Sequence, residues 1–483
     1  MPKSFLRSGS PQTACPLSVI GVKPFREAYN ACDGRHQAPM RITVIGGGLA
    51  GCEAAWQLAA RGVHVRLIEM KPKHYSPAHS APDLGELVCS NSLRSSSIES
   101  AAGLLKAELR ILDSLIMEAA DATAVPAGRA LAVDRTLFSR FITERIIASP
   151  LISLEREEIT SVPASTEGPV IVATGPLTSE RLAADIARIL GADGLYFYDA
   201  IAPIVTADSL HMRKLFRASR YGEDEGDYLN APMDEPMYRS FVSEIVKAGK
   251  VEPYPFENIP HFEGCLPVEE LARRGPDTLA FGPMKPVGLI DPSIGKRPFA
   301  VVQLRAENRQ RTLYNLVGFQ TKMTYPEQER VFRMIPGLEN AVFARLGSIH
   351  RNTYIDAPRL LDRFSSAVAH PHVFFAGQIT GVEGYIESTA SGLAVGLMAG
   401  LPSMGVTPDL PSTATALGGL LRHTQSQGSR RYEPMNVNFG LIDAPPSGTP
   451  KKRKREIMVN RSLEAIQEWK ENMKTLWERV GGP

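Results

Sequence analysis

R-I-T-V-I-G-G-G-L-A-G, residues 41–51, is the stretch on which the fold turns. Arg41 to Ile45 carries the β-branched run of a short, buried parallel strand. Gly46, Gly47, Gly48, Leu49, Ala50 and Gly51 follow with G-x-G-x-x-G spacing, and C-E-A-A-W-Q-L-A-A-R-G then reads as a helix. The spaced glycines each have a physical reason. Gly46 permits the tight turn, Gly48 lets backbone approach a pyrophosphate, and Gly51 lets the helix pack on the sheet. The helix N-terminus then turns its free amides toward an anion. Gly62 ends the helix, and V-H-V-R-L-I-E supplies a second strand closed by Glu69, 18 residues after Gly51. A carboxylate at that place accepts hydrogen bonds from an adenosine ribose. A glycine fingerprint alone is weak, but here strand, helix, second strand and terminal acid fall in register. The acid favours an unphosphorylated ribose and leaves NAD and FAD both open.

Two later segments separate these cofactors. P-V-I-V-A-T-G, residues 169–175, is a short strand ending at Thr174 and Gly175. V-F-F-A-G, residues 373–377, runs through Gly377 and Gln378 into T-G-V-E-G-Y-I-E-S, with Glu383, Gly384 and Tyr385, and then a small-residue helix. A strand followed by glycine and a helix N-terminus can sit under a flavin ring and diphosphate. A single nicotinamide site does not need this distant third element, so the pattern points to FAD. The expected fold class is α/β, a Rossmann-type FAD-binding domain interrupted by a smaller α+β insertion domain.

The chain has 483 residues, more than one hydrophobic core usually serves, so two packed domains are expected. Hydrophobic residues at 43% and charged residues at 22% fit an ordinary soluble globular protein. The net charge of +2 does not by itself announce a nucleic-acid partner. The five cysteines (15, 32, 52, 89 and 265) are odd in number and lack a C-x-x-C pair. That pattern argues against a disulfide framework and a structural zinc site, and for a reducing cytoplasm. No apolar run approaches the roughly 18 residues that would span a bilayer. Residues 1–39 hold scattered prolines without a period and are expected to be a disordered extension, with Met40 a natural start. The expected order is then 40–200 for the first part of the FAD-binding domain, 201–346 for the insertion, 347–450 for the second part, and 451–483 for a basic segment and helix.

With these residues in hand, the sequence resembles the TrmFO family of folate- and FAD-dependent tRNA uracil-5-methyltransferases from about Met40 to the C-terminal helix. The resemblance rests on P-A-H at 77–79, E-L-V-C-S-N-S-L-R at 86–94, A-F-G-P-M-K-P-V-G-L at 280–289, L-V-G-F-Q-T at 316–321 and H-R-N-T at 350–353. G-Q-I-T-G-V-E-G-Y-I-E-S and the near-terminal P-M-N-V-N-F-G-L complete it. Related larger flavoproteins that modify the tRNA wobble uridine carry a long extra helical region, whereas only one helix is expected here after Pro450.

The resemblance implies methylation of uracil C5 in tRNA, at uridine 54 of the T-loop. 5,10-methylenetetrahydrofolate would be the carbon source and reduced FAD the electron source, with NADPH or NADH as reductant. Uracil C5 is a poor nucleophile until a thiolate adds at C6, and an ordinary cysteine has a pKa of about 8.5. The resemblance makes Cys89 and Cys265 the reactive pair, with Arg94 available to stabilise a thiolate and to serve the cofactor. Cys265 would work on the base, and Cys89 would lie nearer the flavin. Which sulfur attacks C6 stays open. Taken alone, each cysteine could be a small buried hydrophobe, as Cys52 behind Gly51 is expected to be. Tyr385 fits a ring stacking in the flavin–folate site, and Tyr325 stands where relatives often have tryptophan. Relatives often have cysteine where this chain has Ala231, so a third cysteine there is dispensable. Cations for RNA are sought in Arg213, Lys214, Arg217 and Arg220, in Arg430 and Arg431, and in Lys451 to Arg455, although each could be only a solvated face. The competing readings are a ribosomal RNA methyltransferase of the same chemistry, an NAD(P)H-dependent flavin oxidoreductase without RNA, and a non-catalytic flavin-bearing RNA-binding module. No metal site is expected, and the sequence leaves the oligomeric state open.

Overall fold

The computed structural model describes residues 40–192, 195–220, 226–251, 266–425 and 432–481, all within the unit Gln37–Pro483. The expected N-terminal extension, 1–39, lies outside the described residues. The first strands are β1 Arg41–Ile45, β2 His64–Glu69, β3 Ser92–Ser95, β4 Ala124–Val125, β5 Ala130–Val133, β6 Ile152–Arg156 and β7 Val170–Val172. Next come β8 Leu195–Ala200, β9 Ile204–Thr206, β10 Phe216–Ala218, β11 Tyr228–Met233, β12 Ala300–Ala306 and β13 Leu313–Leu316. β14 Phe343–Arg345, β15 Ile349–Tyr354, β16 Ser366–Ala367 and β17 His370–Phe375 complete the set. The helices that position the site are α1 Leu49–Ala59, α2 Ala101–Ile111, α3 Arg135–Ala148, α4 Glu180–Leu190, α5 Tyr385–Met398, α6 Ala416–His423 and α7 Lys454–Arg479.

The first sheet has the order β16-β17-β7-β1-β2-β6, and its strands from β17 to β6 run parallel. Ile45 lies opposite Val172, which in turn lies opposite Phe375, so the three expected cofactor strands end level with one another. A parallel sheet has to be covered on both faces. Val44 and Ile171 face a core shared with α1, α2 and α5, while Ile45, Val170 and Val172 face another shared with α4. Backbone-to-backbone packing sets the first face. A Cβ on Gly392 of α5 would lie 2.2 Å from the Ala50 carbonyl oxygen, and one on Gly396 would lie 2.8 Å from the Ala54 Cα. The small residues of both helices are therefore a requirement of close approach.

The second sheet, β10-β11-β12-β13-β9-β14, is antiparallel, and its strands fall between Ile204 and Arg345. The sequence reads as irregular and proline-rich here, with short strands at 298–304 and 313–319, and β12 and β13 fall on those two runs. The strands are short, and all seven residues of β12 are buried, so no two-residue alternation marks it. Its separate core gathers Tyr238, Phe241, Phe319 and Phe332. The long connection after β2 leads into a third small sheet, β3-β5-β4, which supports the segment containing Cys89. Near the C-terminus, the buried Glu108 carboxylate of α2 accepts hydrogen bonds from Ala416 N at 2.7 Å and Leu417 N at 2.8 Å, capping α6. Ser462 of α7 donates to the same carboxylate, which ties the terminal helix to the first core.

Gly392→Ala should destabilise the protein by about 1–3 kcal/mol, because the added carbon meets rigid backbone. Urea unfolding checks this, and an unchanged midpoint would contradict the packing described.

Candidate active site

At the ends of β1, β7 and β2 the glycine loop opens a cleft lined by Gly46 to Ala50, Glu69, Lys71, Thr174, Gly175, Gln378 and Tyr385 among others. Gly46 has φ +104°, and a Cβ there would lie 2.5 Å from the Ala173 carbonyl oxygen. A Cβ on Gly51 would lie 1.8 Å from the Gly46 carbonyl oxygen. Gly48 is different: no atom lies within 4 Å of its would-be Cβ, so this residue borders open space. It is also the N-cap of α1, which has no side-chain cap and no acid in its first turn. Glu69 accepts Gly47 N at 2.7 Å on one oxygen and Lys71 N at 2.9 Å on the other. Each carboxylate oxygen retains acceptor capacity. Uncapped helix amides without a Cβ in front of them, beside a buried carboxylate, suit a diphosphate and a ribose. The donor set fits a dinucleotide.

Cys89 is half-buried beside this cleft, next to Val88, which lines it. Its amide donates to the Tyr385 phenolic oxygen at 2.7 Å, and the Ser90 amide donates to the same oxygen at 3.2 Å. The thiol donates weakly to the Ala200 carbonyl, 3.8 Å away. Burial pushes the Tyr385 phenol above its ordinary value, so it stays protonated. Tyr385 opens α5, so one residue links that helix, the cleft wall and the Cys89 loop.

Arg94 is anchored at Glu387. Its guanidinium donates at 2.7 Å to Glu387, in the first turn of α5, and its own backbone sits at φ +66°. Glu387 is fully buried and also accepts the Val437 amide at 3.0 Å, so a cation there is needed to offset the desolvation of the carboxylate. Arg94 therefore ties the Cys89 side of the chain to α5. Two further cations bond the Cys89 loop, and no motif marks them. Arg135 donates to the carbonyls of Leu87 at 2.6 Å and Cys89 at 3.4 Å, and Arg345 donates to that of Val88 at 2.8 Å.

Other expected residues divide between the cleft and its surroundings. Gln378 donates to Glu383 at 2.6 Å, and a Cβ on Gly377 would press on Ala50 at 2.7 Å. Gly384, at φ +115°, is the N-cap of α5. Gly51, Gly377, Glu383 and Gly384 thus shape the cleft from behind its wall. Tyr325 begins a helix at 325–332, is 58% exposed and lies outside the cleft lining. Cys265 lies outside the described residues, as do Arg430 and Arg431. Lys214 pairs with Glu339 at 2.6 Å, and Arg217 donates to the Tyr314 hydroxyl at 3.3 Å. Lys451 to Arg455 are exposed, and Arg455 lies 4.1 Å above the Phe439 ring. Cys52 is fully buried, and burial pushes its thiol well up, as befits a packing residue. Among the described residues, no group of His, Cys, Asp and Glu could hold a metal ion, and no helix is long and apolar enough to cross a membrane.

The parallel sheet, glycine loop and cleft define a dinucleotide-binding protein of the kind described as Glucose inhibited division protein A, a family that matches residues 41–406. The GidA structure of Aquifex aeolicus in its form II crystal superposes with a TM-score of 0.65 at 16% identity, covering 91% of this chain and 76% of that one. Within this group, the chain belongs to the TrmFO family. The proteins named methylenetetrahydrofolate--tRNA-(uracil-5-)-methyltransferase TrmFO from Citrifermentans bemidjiense and Geobacter sulfurreducens are 60% and 59% identical to it over 429 residues. Each alignment covers 89% of this chain and 98% of the relative.

Tyr385→Phe should leave the Cys89 and Ser90 amides without their acceptor and lower stability by about 1–3 kcal/mol, read by chemical denaturation. Equal stability would mean that those amides find another partner. A second outcome concerns pH. Burial, with Arg345 alongside, pushes His350 from its ordinary 6.5 down to about 4. Between those values the unfolded chain takes up a proton that the folded one refuses, so stability falls as pH drops from about 6.5 toward 4. His350→Asn should flatten that part of the stability–pH curve, and a variant curve parallel to the wild type would show that His350 does not contribute.

Proposed function

We propose that the protein transfers the methylene carbon of 5,10-methylenetetrahydrofolate to C5 of uridine 54 in the T-loop of tRNA, where it ends as a methyl group. The observation that carries this reading is a cysteine thiol beside a dinucleotide cleft, its loop hydrogen-bonded to a tyrosine of the cleft wall. The names of the two relatives supply the folate, the tRNA and the uracil. FAD, held by Gly46 to Gly51, Glu69, Thr174, Gly175, Gln378 and Tyr385, would supply the hydride that turns methylene into methyl. NADPH or NADH is the proposed reductant, and the cytoplasm the proposed compartment.

Cys89 and Cys265 are the proposed reactive pair. One thiolate adds to uracil C6, which makes C5 enolate-like and able to attack a one-carbon electrophile. The other cysteine, as its thiolate, or a basic group beside it, takes the C5 proton so that the first sulfur can leave C6 as thiolate. Tyr385 fixes the Cys89 loop and offers a ring to the folate, and Tyr325 is a proposed second stacking surface. The target base has to leave its stack to reach a thiol next to this cleft, so RNA shape and extrusion govern recognition. Residues 201–346 are read as the insertion, which would bring Cys265 toward the cleft from the other side.

Incubation of the holoenzyme with unmodified tRNA, labelled methylenetetrahydrofolate and NADPH tests this. Label should appear at uracil C5, and Cys89→Ala and Cys265→Ala should each cut the rate by about a hundredfold or more. Label in ribosomal RNA alone would move the substrate. NADPH consumption indifferent to RNA and folate would replace the reading with a plain flavin oxidoreductase.

A further inference from the structure

The Cys89 loop is held mainly by guanidinium groups. Arg135, the first residue of α3, reaches the Leu87 and Cys89 carbonyls and forms a two-pronged pair with Glu307, which follows β12 and is 3% exposed. Arg305 of β12 donates to the Asn91 side-chain oxygen at 2.8 Å and the Ser90 hydroxyl at 2.6 Å. Asn91 in turn donates at 3.0 Å to the carbonyls of Val133 in β5 and Ala306 in β12. Arg345, at the end of β14, donates to the Val88 carbonyl at 2.8 Å and the Ala78 carbonyl at 3.3 Å.

The loop is therefore fixed through its own backbone. The carbonyls of residues 87, 88 and 89 all accept from arginines, and the amides of 89 and 90 both donate to Tyr385. Every one of these arginines is largely buried, and burial works against the charge of Arg305 and Arg345. Arg135 has the Glu307 carboxylate among its partners, Arg305 bonds Tyr228 as well as Ser90 and Asn91, and Arg345 donates to two carbonyls of the loop. A buried cation is tolerated where its donors are satisfied, and the same bonds remove freedom from whatever accepts them. Two of the arginines belong to the antiparallel sheet and the glutamate directly follows one of its strands, while the loop itself joins β2 to β3.

We infer that Arg305 and Arg345 are positioning residues for Cys89, so that the antiparallel sheet sets where the thiol stands at the cleft. The inference rests on the proposed role of Cys89 and deepens it. Neither arginine needs to touch substrate: each acts through the loop's backbone or through Ser90 and Asn91. A reactive group displaced by about 1 Å can lose a hundredfold in rate while substrate binding is retained, so the signature is a fall in kcat without a rise in KM.

The experiment compares Arg305→Met, Arg345→Met and Arg345→Lys with wild-type holoenzyme. Two readouts are taken: kcat and KM for methyl transfer to tRNA, and the rate at which iodoacetamide alkylates Cys89 in the resting holoenzyme, followed on the Cys89 peptide by mass spectrometry. Each Met variant should lower kcat by about tenfold or more, with KM within about twofold. Cys89 alkylation should quicken at least about threefold, because the freed loop no longer tucks the thiol against Ala200. Arg345→Lys can serve only one of the two carbonyls well and should fall between. The inference is overturned if kcat and alkylation both stay near wild type, or if KM rises while kcat holds, which would make the arginines substrate ligands. Should Arg345→Met emerge without flavin, Arg345→Lys decides: reduced kcat with flavin retained supports the inference, and wild-type kcat rejects it. If wild-type enzyme transfers no methyl group to RNA, the functional reading fails, and the alkylation rates still decide the positioning role.

Discussion

Two amides, those of Cys89 and Ser90, point at the single phenolic oxygen of Tyr385. Through that oxygen the loop carrying the thiol is joined to the first residue of α5, the helix that packs against α1 by glycine contacts. α1 is in turn seated on β1 because Gly51 and Gly46 leave no room for a side chain between them. The dinucleotide cleft and the thiol are thus fixed by one continuous set of close contacts. Their relative position rests on backbone packing of α1 and α5 and on buried side chains that bond the backbone of the Cys89 loop.

Charge is distributed to suit this arrangement. The cleft end near α1 presents uncapped amides and the Glu69 carboxylate, a pattern for an anion beside a hydroxylated ring. The Cys89 end holds buried guanidinium groups instead, and they bond to backbone carbonyls and to Glu307. On the far side of α5, Glu387 is buried and paired with Arg94, with Lys106 close by, and burial lowers that lysine to about 8. Burying so many ionisable groups carries a desolvation penalty, and well-packed apolar replacements of such groups are often no less stable. Their concentration around one loop is best understood as geometric specification of that loop.

The dinucleotide half of the molecule was legible from residues 41–69 because Gly46 and Gly51 answer contacts that no other residue permits. The A-T-G and F-A-G strands were legible for a similar reason: they end level with β1, where loops must be short and glycine-bearing. The clamp around Cys89 was not. Arg135, Arg305, Glu307 and Arg345 are scattered along the chain, and each looks like an ordinary surface charge in its own segment. Arg94 was singled out because it stands near Cys89 in sequence, while its bond to the buried Glu387 had no mark in its own segment. Tyr385 was found through its motif and expected for its ring, while its oxygen proves equally engaged. In 204–345 the apolar runs of β12 and β13 were legible as strands, while β9, β10 and β14, at three residues each, are too short to carry a pattern.

Whether the Cys89 thiol and a flavin bound at the glycine loop share one site is measured most directly by a crystal structure of the FAD-loaded enzyme, as the separation between the Cys89 sulfur and the flavin ring. The expected result is a diphosphate at Gly48 and the α1 N-terminus, with sulfur in or near van der Waals contact with the ring, about 4–5 Å away. A diphosphate bound elsewhere, or a sulfur well beyond about 10 Å with the loop still clamped, would contradict it.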